Sequence, residues 1–457
     1  MTSAHSDISA NLMQELYFQS LQTLDLITPL GQVPFNIQQR KNGFRPAQRC
    51  LTLLAAQAQR CQRLTDWTMV QRVDPRLQHW LGDRKAPHPS TLSRTLAAAD
   101  RRTVKVLREN VLAPLTDQAF LFTEALGRWI FVDVDNKTLP AEGDTYEGTA
   151  TGRMSDGGYC RGYRLHLISI DNRWPLEMEL TGANAHAVPS AMVMFRRLMR
   201  RLDRVRRWKI VVRGDSNHGC VQFIRFVHRY DAGYLLKSYN STTARNLWKQ
   251  YPDRLQQRIR RDQKADLLAI NLTDVTIHGM TRKTLPNGKE RRKACQVVVP
   301  RVVVYHEDVA QLPEGKKPEC FALLTTLPTT AFNPTELLEQ TYQPRAGDIE
   351  NIFCQLDQAF EITHLRSRSF WGNWTYMMLC LIATTLTQMI RQQAQTQNLP
   401  IPPGLQETLQ ATANSGLRLG HDPQTGAVLM VGITNEFTVT FQKALRCSYQ
   451  HRFRYAA

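Results

Sequence analysis

Apolar residues recur along this chain in three rhythms. From about Asn11 to Leu115 they keep a helical spacing, among many Leu, Ala, Gln and Arg residues and few β-branched alternations. Within Lys85 to Asn110, Ser90 is placed to cap a helix whose apolar positions Leu92, Leu96, Val104 and Leu107 are interleaved with arginines. The pattern changes at Trp129 to Asp135 (WIFVDVD), which predicts a buried strand with Phe131, Asp133 and Asp135 on one face. Arg164 to Ile170 and Leu176 to Leu180 predict two more strands, the latter with Glu177 and Glu179 outward, and the modest links suggest an antiparallel meander. Ala191, Phe195, Leu198, Leu202 and Val205 then form one apolar stripe of a helix. A short strand at Ile210 to Val212 comes next, ending in Arg213, Gly214 and Asp215, then an amphipathic segment at Val221 to Val227 and a strand at Tyr234 to Leu236.

Beyond Ser238 this rhythm stops. Ala269 to His278, Lys293 to Tyr305 and Cys320 to Thr326 are β-prone, with Pro286, Asn287 and Gly288 as a turn between two of them, so 238–340 reads as a mainly β insertion. Helical spacing returns at Ile349, with Ile352, Phe353, Leu356 and Phe360 apolar, and runs into the stretch from Phe370 to Ile390. That stretch is interrupted by Gly372, Asn373, four threonines and Gln388, which favours a buried helix over a membrane span. The order strand, strand, strand, helix, strand, helix, strand matches a ribonuclease H-like arrangement. The expected class is therefore α/β: a ribonuclease H-like core interrupted by a mainly β insertion and preceded by a helical N-terminal domain.

Composition narrows the functions. At 457 residues, two or three domains are expected. The 58 Lys and Arg against 40 Asp and Glu leave a formal charge of +18, and the basic residues recur through the chain, as expected for an extended surface facing a polyanion such as nucleic acid. The nine cysteines form no Cys-x-x-Cys pair and have no His at finger spacing, which argues against structural zinc and a disulfide framework. They imply a reducing, cytoplasmic setting, and the first residues lack the pattern of a signal peptide.

Three acidic positions then stand out. Asp135 ends the first predicted strand, Asp215 ends the fourth in KIVVRGDSNHG, and Glu350 opens a later helix in YQPRAGDIENIFCQLDQAF. Hard divalent ions that assist phosphodiester cleavage need oxygen ligands, and separated carboxylates can converge on them. Asp133 competes with Asp135 for the first position. Asp348 competes with Glu350, although it is also placed to cap the helix. His218 beside Asp215 reads more readily as a structural hydrogen-bonding group than as a base. His364, Arg366 and Arg368 are candidates to grip a nucleic-acid backbone, or simply a solvated basic face.

These segments resemble the DDE transposases of bacterial insertion sequences, particularly the IS-four superfamily. VDVDNKTLPAEGDTYEG resembles the first-Asp region, VVRGDSNHG the second, and Tyr342, Arg345 and Glu350 the Tyr, Arg, Glu signature. The likeness covers much of Trp129 to Ile390. Two departures stand out: Arg345 and Glu350 are one residue further apart than the common pattern, and Asp357 occupies the place of a usual Lys.

The resemblance implies that Asp135, Asp215 and Glu350 bind metal, as two Mg²⁺ ions with Mn²⁺ as substitute, and that Tyr342 and Arg345 contact DNA. Arg366, Arg368 and, in the N-terminal region, Arg94 are further expected DNA contacts. The implied partners are double-stranded DNA, as terminal inverted repeats and target, and a second copy of the chain; no membrane partner is implied. The implied setting is a bacterial cytoplasm, at the nucleoid when bound to DNA. The expected layout is a helical DNA-end-binding domain over 1–120, the core over 121–237 and 341–395 around the 238–340 insertion, and a C-terminal segment, 396–457, for DNA binding or dimerisation. A nuclease or domesticated recombinase without strand transfer, and a noncatalytic DNA-binding descendant, are the alternatives.

Overall fold

A computed structural model describes residues 7–9, 12–38, 41–61, 63–67, 72, 74–124, 129–154, 157–170, 173–251, 254–284, 290–396, 402, 404–413, 417–421 and 428–433. Near the N-terminus, strand β1 (Asp7–Ser9) pairs with β12 (Leu417–His421), which pairs with β13 (Val428–Ile433), in a small sheet of its own. The main sheet begins with β2 (Ile130–Pro140), β3 (Ala150–Arg153), β4 (Tyr159–Ile170), β5 (Trp174–Gly182), β6 (Ile210–Gly219) and β7 (Gly233–Ser238). It is completed by β8 (Gln257–Ile259), β9 (Leu267–Thr284), β10 (Glu290–Glu307) and β11 (Cys320–Thr325), making a mixed sheet of ten strands.

The expected meander is present: β4 pairs antiparallel with both β2 and β5. On its other side β2 runs parallel to β6, and β6 parallel to β7. Each parallel crossover is helical, through Ala187–Arg201 and then Val221–His228, as parallel neighbours require. The strands read from the 238–340 segment exist, and β11 pairs with β7, so β8 to β11 continue the same sheet. Val211 and Leu235 share a hydrophobic cluster with Ile259, Val303, Leu323 and Leu337, so packing does not break at residue 238. The Pro286, Asn287 and Gly288 turn lies outside the described residues.

The Phe370–Thr396 helix is buried without interruption from Gly372 to Arg391. It touches the Leu12–Thr23, Pro46–Ala58 and Pro89–Ala97 helices and β5. One hydrophobic cluster therefore runs from Leu12 through the main sheet to Leu409. Gly372 permits this approach: a Cβ there would lie 2.5 Å from the Leu96 carbonyl oxygen. Among the described residues no helix is long and apolar enough to cross a membrane, and the eight described cysteines are free thiols.

Several local expectations need correction. The helix predicted from Ser90 is two helices, because Asp100 accepts from Thr103 N and starts the second; His88, not Ser90, caps the first. The apolar stripe ends at Leu202, since Asp203 caps a new helix, Arg204–Lys209, and leaves Val205 exposed. Glu177 does not face outward. It is buried beneath the Ala187–Arg201 helix and pairs with Arg201 at 3.3 Å, because both faces of β5 are covered. Burial raises its pKa, against the pull of Arg201, Arg197 and Arg108.

Candidate active site

The site forms where β2 and β6 separate. Their parallel register pairs Asp133 with Arg213 and Val134 with Gly214, and ends there. Asp135 and Asp215, the next residues on two strands roughly 4.8 Å apart, are therefore neighbours. Neither closes its strand as the alternation predicts: β2 continues to Pro140 against β4, and β6 continues to Gly219 after a break in its pairing with β7. What ends at the site is the ladder, between strands that remain extended.

A helical element packs against β2 at this point. The wide π-helical segment Glu336–Tyr342 leads into the Gln343–Phe360 helix, which carries Arg345 and Glu350. Such segments recur at functional sites, since each extra residue rotates the side chains beyond it to new directions. Helix therefore starts well before Ile349, and Glu350 lies in its interior rather than at its beginning. Asp348 is likewise inside the helix, so capping does not explain it. The side chains of Asp348 and Glu350 lie outside the described residues.

The two aspartates of β2 meet different partners. Asp133 is fully buried and receives Arg213 Nε at 2.7 Å and Nη2 at 2.6 Å, while Arg213 Nη1 donates to the Thr341 carbonyl at 2.7 Å. The Arg213 guanidinium also stands 5.1 Å from the Phe131 ring centroid. Asp135 has a side chain 20% exposed and meets Arg345 through one contact of 3.4 Å. Burial raises the Asp135 pKa, with Asp215 adding to the rise and Arg345 opposing it.

Asp215 is ringed by donors. Asn217 N and Nδ2 lie 3.0 and 2.8 Å from its oxygens, and His218 Nδ1 lies 2.7 Å from Oδ1. Burial pushes this carboxyl up, but the His218 hydrogen bond and charge, Arg345 and Asn217 outweigh it, and its pKa falls below the ordinary aspartate value. His218 is buried against Phe223, with ring centroids 5.8 Å apart, and packs over Gly214, where a Cβ would lie 2.8 Å from the His218 Cβ. It acts as the structural partner of Asp215.

Of the remaining expected contacts, Tyr342 is half-buried with Arg345 5.8 Å from its ring centroid, and burial pushes its hydroxyl up to about 12. Arg94, Arg368 and His364 are exposed. Arg366 is not presented to solvent: its side chain is 2% exposed, donates to the Phe360 carbonyl and stacks on Tyr376, so it braces the end of the Gln343–Phe360 helix. Asp357, where the resemblance implies a Lys, accepts from Thr363 N and Oγ1 and faces Lys137 of β2 at 3.7 Å. Periodicity and motif spacing do not single out Arg213 or Lys137. A usable signal for Arg213 is nonetheless present: Asp133 precedes Asp135 by two, and Arg213 precedes Asp215 by two, so in-register parallel strands set the pairs side by side.

Among the described residues no three His, Cys, Asp or Glu side chains form a group that could hold a metal ion. Asp135 and Asp215 do suit two donors of a hard divalent cation: both are carboxylates, both are partly open to solvent, and each raises the energy of the other's charge.

Residues 55–400 match the family described as "Transposase DDE domain group 1". That is most of the chain, and the chain belongs to this family of DDE transposases. Among solved structures it is similar to a piggyBac transposase in a synaptic complex with hairpin DNA, at 10% identity, covering 89% of this chain and 79% of that one. The TM-score of 0.45 is too low to assign a fold. No curated protein matches the chain.

Proposed function

We propose that this DDE transposase cuts and joins DNA at the ends of its own element, with Asp135, Asp215 and Glu350 as metal ligands. The observation that carries the reading is the juxtaposition of the two aspartates. Two carboxylates from adjacent parallel strands meet where their ladder ends, and the helix carrying Glu350 brings Arg345 against one of them. The strand order β5, β4, β2, β6, β7, with two parallel steps, supports a ribonuclease H-like core. The segments around Asp135 and Asp215 support an IS-four-type relationship.

Bound divalent ions, Mg²⁺ or Mn²⁺, would neutralise the scissile phosphate and make water a competent nucleophile. The chain's residues set the geometry: His218 and Asn217 hold Asp215 in one orientation, and Arg345 supplies positive charge beside Asp135 for a DNA phosphate. Attack of water on phosphorus breaks the bond to the 3′ oxygen, leaving a 3′ hydroxyl and a 5′ phosphate. That hydroxyl then attacks a target phosphodiester, forming one P–O bond as another breaks. Terminal inverted repeats are the specific substrate, bound with help from the basic N-terminal helices that expose Arg94, and two copies of the chain pair the ends.

The experiment measures binding, cleavage and joining separately on element-end DNA with Mg²⁺ or Mn²⁺. Asp215→Ala and Glu350→Ala are expected to abolish cleavage and joining while DNA binding persists. Undiminished metal-dependent cleavage by either variant overturns the triad, and cleavage without joining in the unmodified protein identifies a nuclease instead.

A further inference from the structure

We infer that Arg213 is the positioning residue that registers all three carboxylate-bearing elements of the site. The inference rests on the proposed triad. One guanidinium binds three separate parts of the chain. It belongs to β6, two residues before Asp215; its Nε and Nη2 grip Asp133 on β2, two residues before Asp135; and its Nη1 holds the carbonyl of Thr341, nine positions before Glu350. The pair is sealed, with side-chain exposures of 6% for Arg213 and 0% for Asp133. Thr341 is also buried.

This geometry is specific to arginine. A planar fork satisfies both carboxylate oxygens and directs a further N–H at the carbonyl, whereas a lysine ammonium cannot span those positions from one rotamer. The Thr341 bond falls within the π-helical segment Glu336–Tyr342, whose winding sets the phase of the helix it leads into. Fixing that carbonyl to β6 sets where the helix begins relative to Asp215. The β2 to β6 ladder already aligns Asp135 with Asp215, so the anchor matters most for the third element.

The decisive variant removes both buried charges together, because a well-packed apolar pair can replace a buried ion pair without loss of stability. Asp133→Leu/Arg213→Met in the full chain is expected to melt within a few degrees of wild type. In hydrogen exchange without metal, the amides of 336–350 should exchange roughly tenfold faster, with β2 and β6 protected as before. The Mg²⁺ concentration for half-maximal cleavage should rise about 10- to 100-fold, the scale of an outer-shell loss, while DNA affinity at fixed salt stays the same. Arg213→Lys keeps a cation opposite Asp133, serves if the double variant does not fold, and should fail to restore either readout. Unchanged exchange over 336–350 in the variant that folds overturns the anchor, whether or not the protein cleaves DNA. A wild-type protein that binds DNA but does not cleave in Mg²⁺ or Mn²⁺ overturns the triad, and leaves the exchange experiment to judge the anchor alone.

Discussion

Asp133 and Asp135 stand two residues apart on one face of one strand, each beside an arginine, yet the two pairs differ in kind. The Asp133–Arg213 pair is bidentate, near 2.6 Å, and closed to solvent. The Asp135–Arg345 pair touches once at 3.4 Å, and its carboxylate is partly open. Desolvated charges are stable only when their hydrogen bonds are met, and the first pair meets them within the protein. The second is looser: one Asp135 oxygen accepts the Asn136 amide at 2.8 Å, the other meets Arg345 only at 3.4 Å, and a second carboxylate, Asp215, lies beside it. Spacing and residue type are the same; the difference comes from where the β2–β6 ladder ends and which helix lies above it. One pair holds the frame together, and the other is suited to exchange partners with a cation and a phosphate.

The sharpest way to break that contrast is to remove each aspartate in turn. Asp135→Asn should lower metal-dependent cleavage at least about 10³-fold, beyond the ~10- to 100-fold typical of outer-shell partners, with a melting temperature equal to or above wild type because the cost of burying the charge, and with it the repulsion of Asp215, is relieved. Asp133→Ala should instead lose about 3–5 kcal/mol of stability, since it leaves the Arg213 charge buried without its carboxylate. Denaturant unfolding and single-turnover cleavage measure the two effects. Equal stability losses in both variants would erase the distinction.

Much of this is legible in the chain. The three meander strands, the two crossover helices and the parallel strands that carry Asp135 and Asp215 are legible from alternation and helical spacing, whereas β3, the Arg204–Lys209 helix and the continuation of β2 and β6 past the two aspartates are not. Other features depend on distant parts of the chain. Glu177 reads as exposed from its alternation on β5, and only the covering Ala187–Arg201 helix makes it buried. The union of β7 with β11 is a long-range pairing that no local pattern contains. Asp133 and Asp135 are indistinguishable by periodicity, since strand period two puts both on one face. They separate only once the ladder register and the Thr341 contact are known.

The pH response should separate the two neighbouring, partly exposed carboxylates. The raised pKa of Asp135 means the folded state holds its proton more tightly than the unfolded chain does, so this group favours folding increasingly as pH falls through its folded pKa. Asp215 has the opposite sign: its contribution is full above the unfolded aspartate value and is lost as pH falls through its depressed folded pKa. Relative to Asp135→Asn, metal-free wild type should therefore gain stability on acidification. Relative to Asp215→Asn it should lose stability at still lower pH. Melting curves of the three proteins across the acid range test both signs, and parallel pH profiles would contradict them.

A third carboxylate–cation contact lies nearby and should matter least to the fold. Lys137 and Asp357 are 3.7 Å apart and each about one-third exposed. Screened pairs of this kind contribute about 0–1 kcal/mol. Lys137→Ala should therefore leave the unfolding midpoint almost unchanged, whereas Asp357→Ala also removes an acceptor for Thr363 N and Oγ1 and should be the more destabilising of the two. Lys137 lies two positions beyond Asp135 on β2, on the same strand face by period-two alternation. If it meets a DNA phosphate there, Lys137→Ala will reduce the salt dependence of DNA binding by about one charge. The same substitution would leave the slope unchanged if Lys137 serves Asp357 alone. The rim pair thus extends the contrast between the two aspartates: a cation held loosely in the free protein should reveal its role in the DNA complex rather than in the unfolding curve.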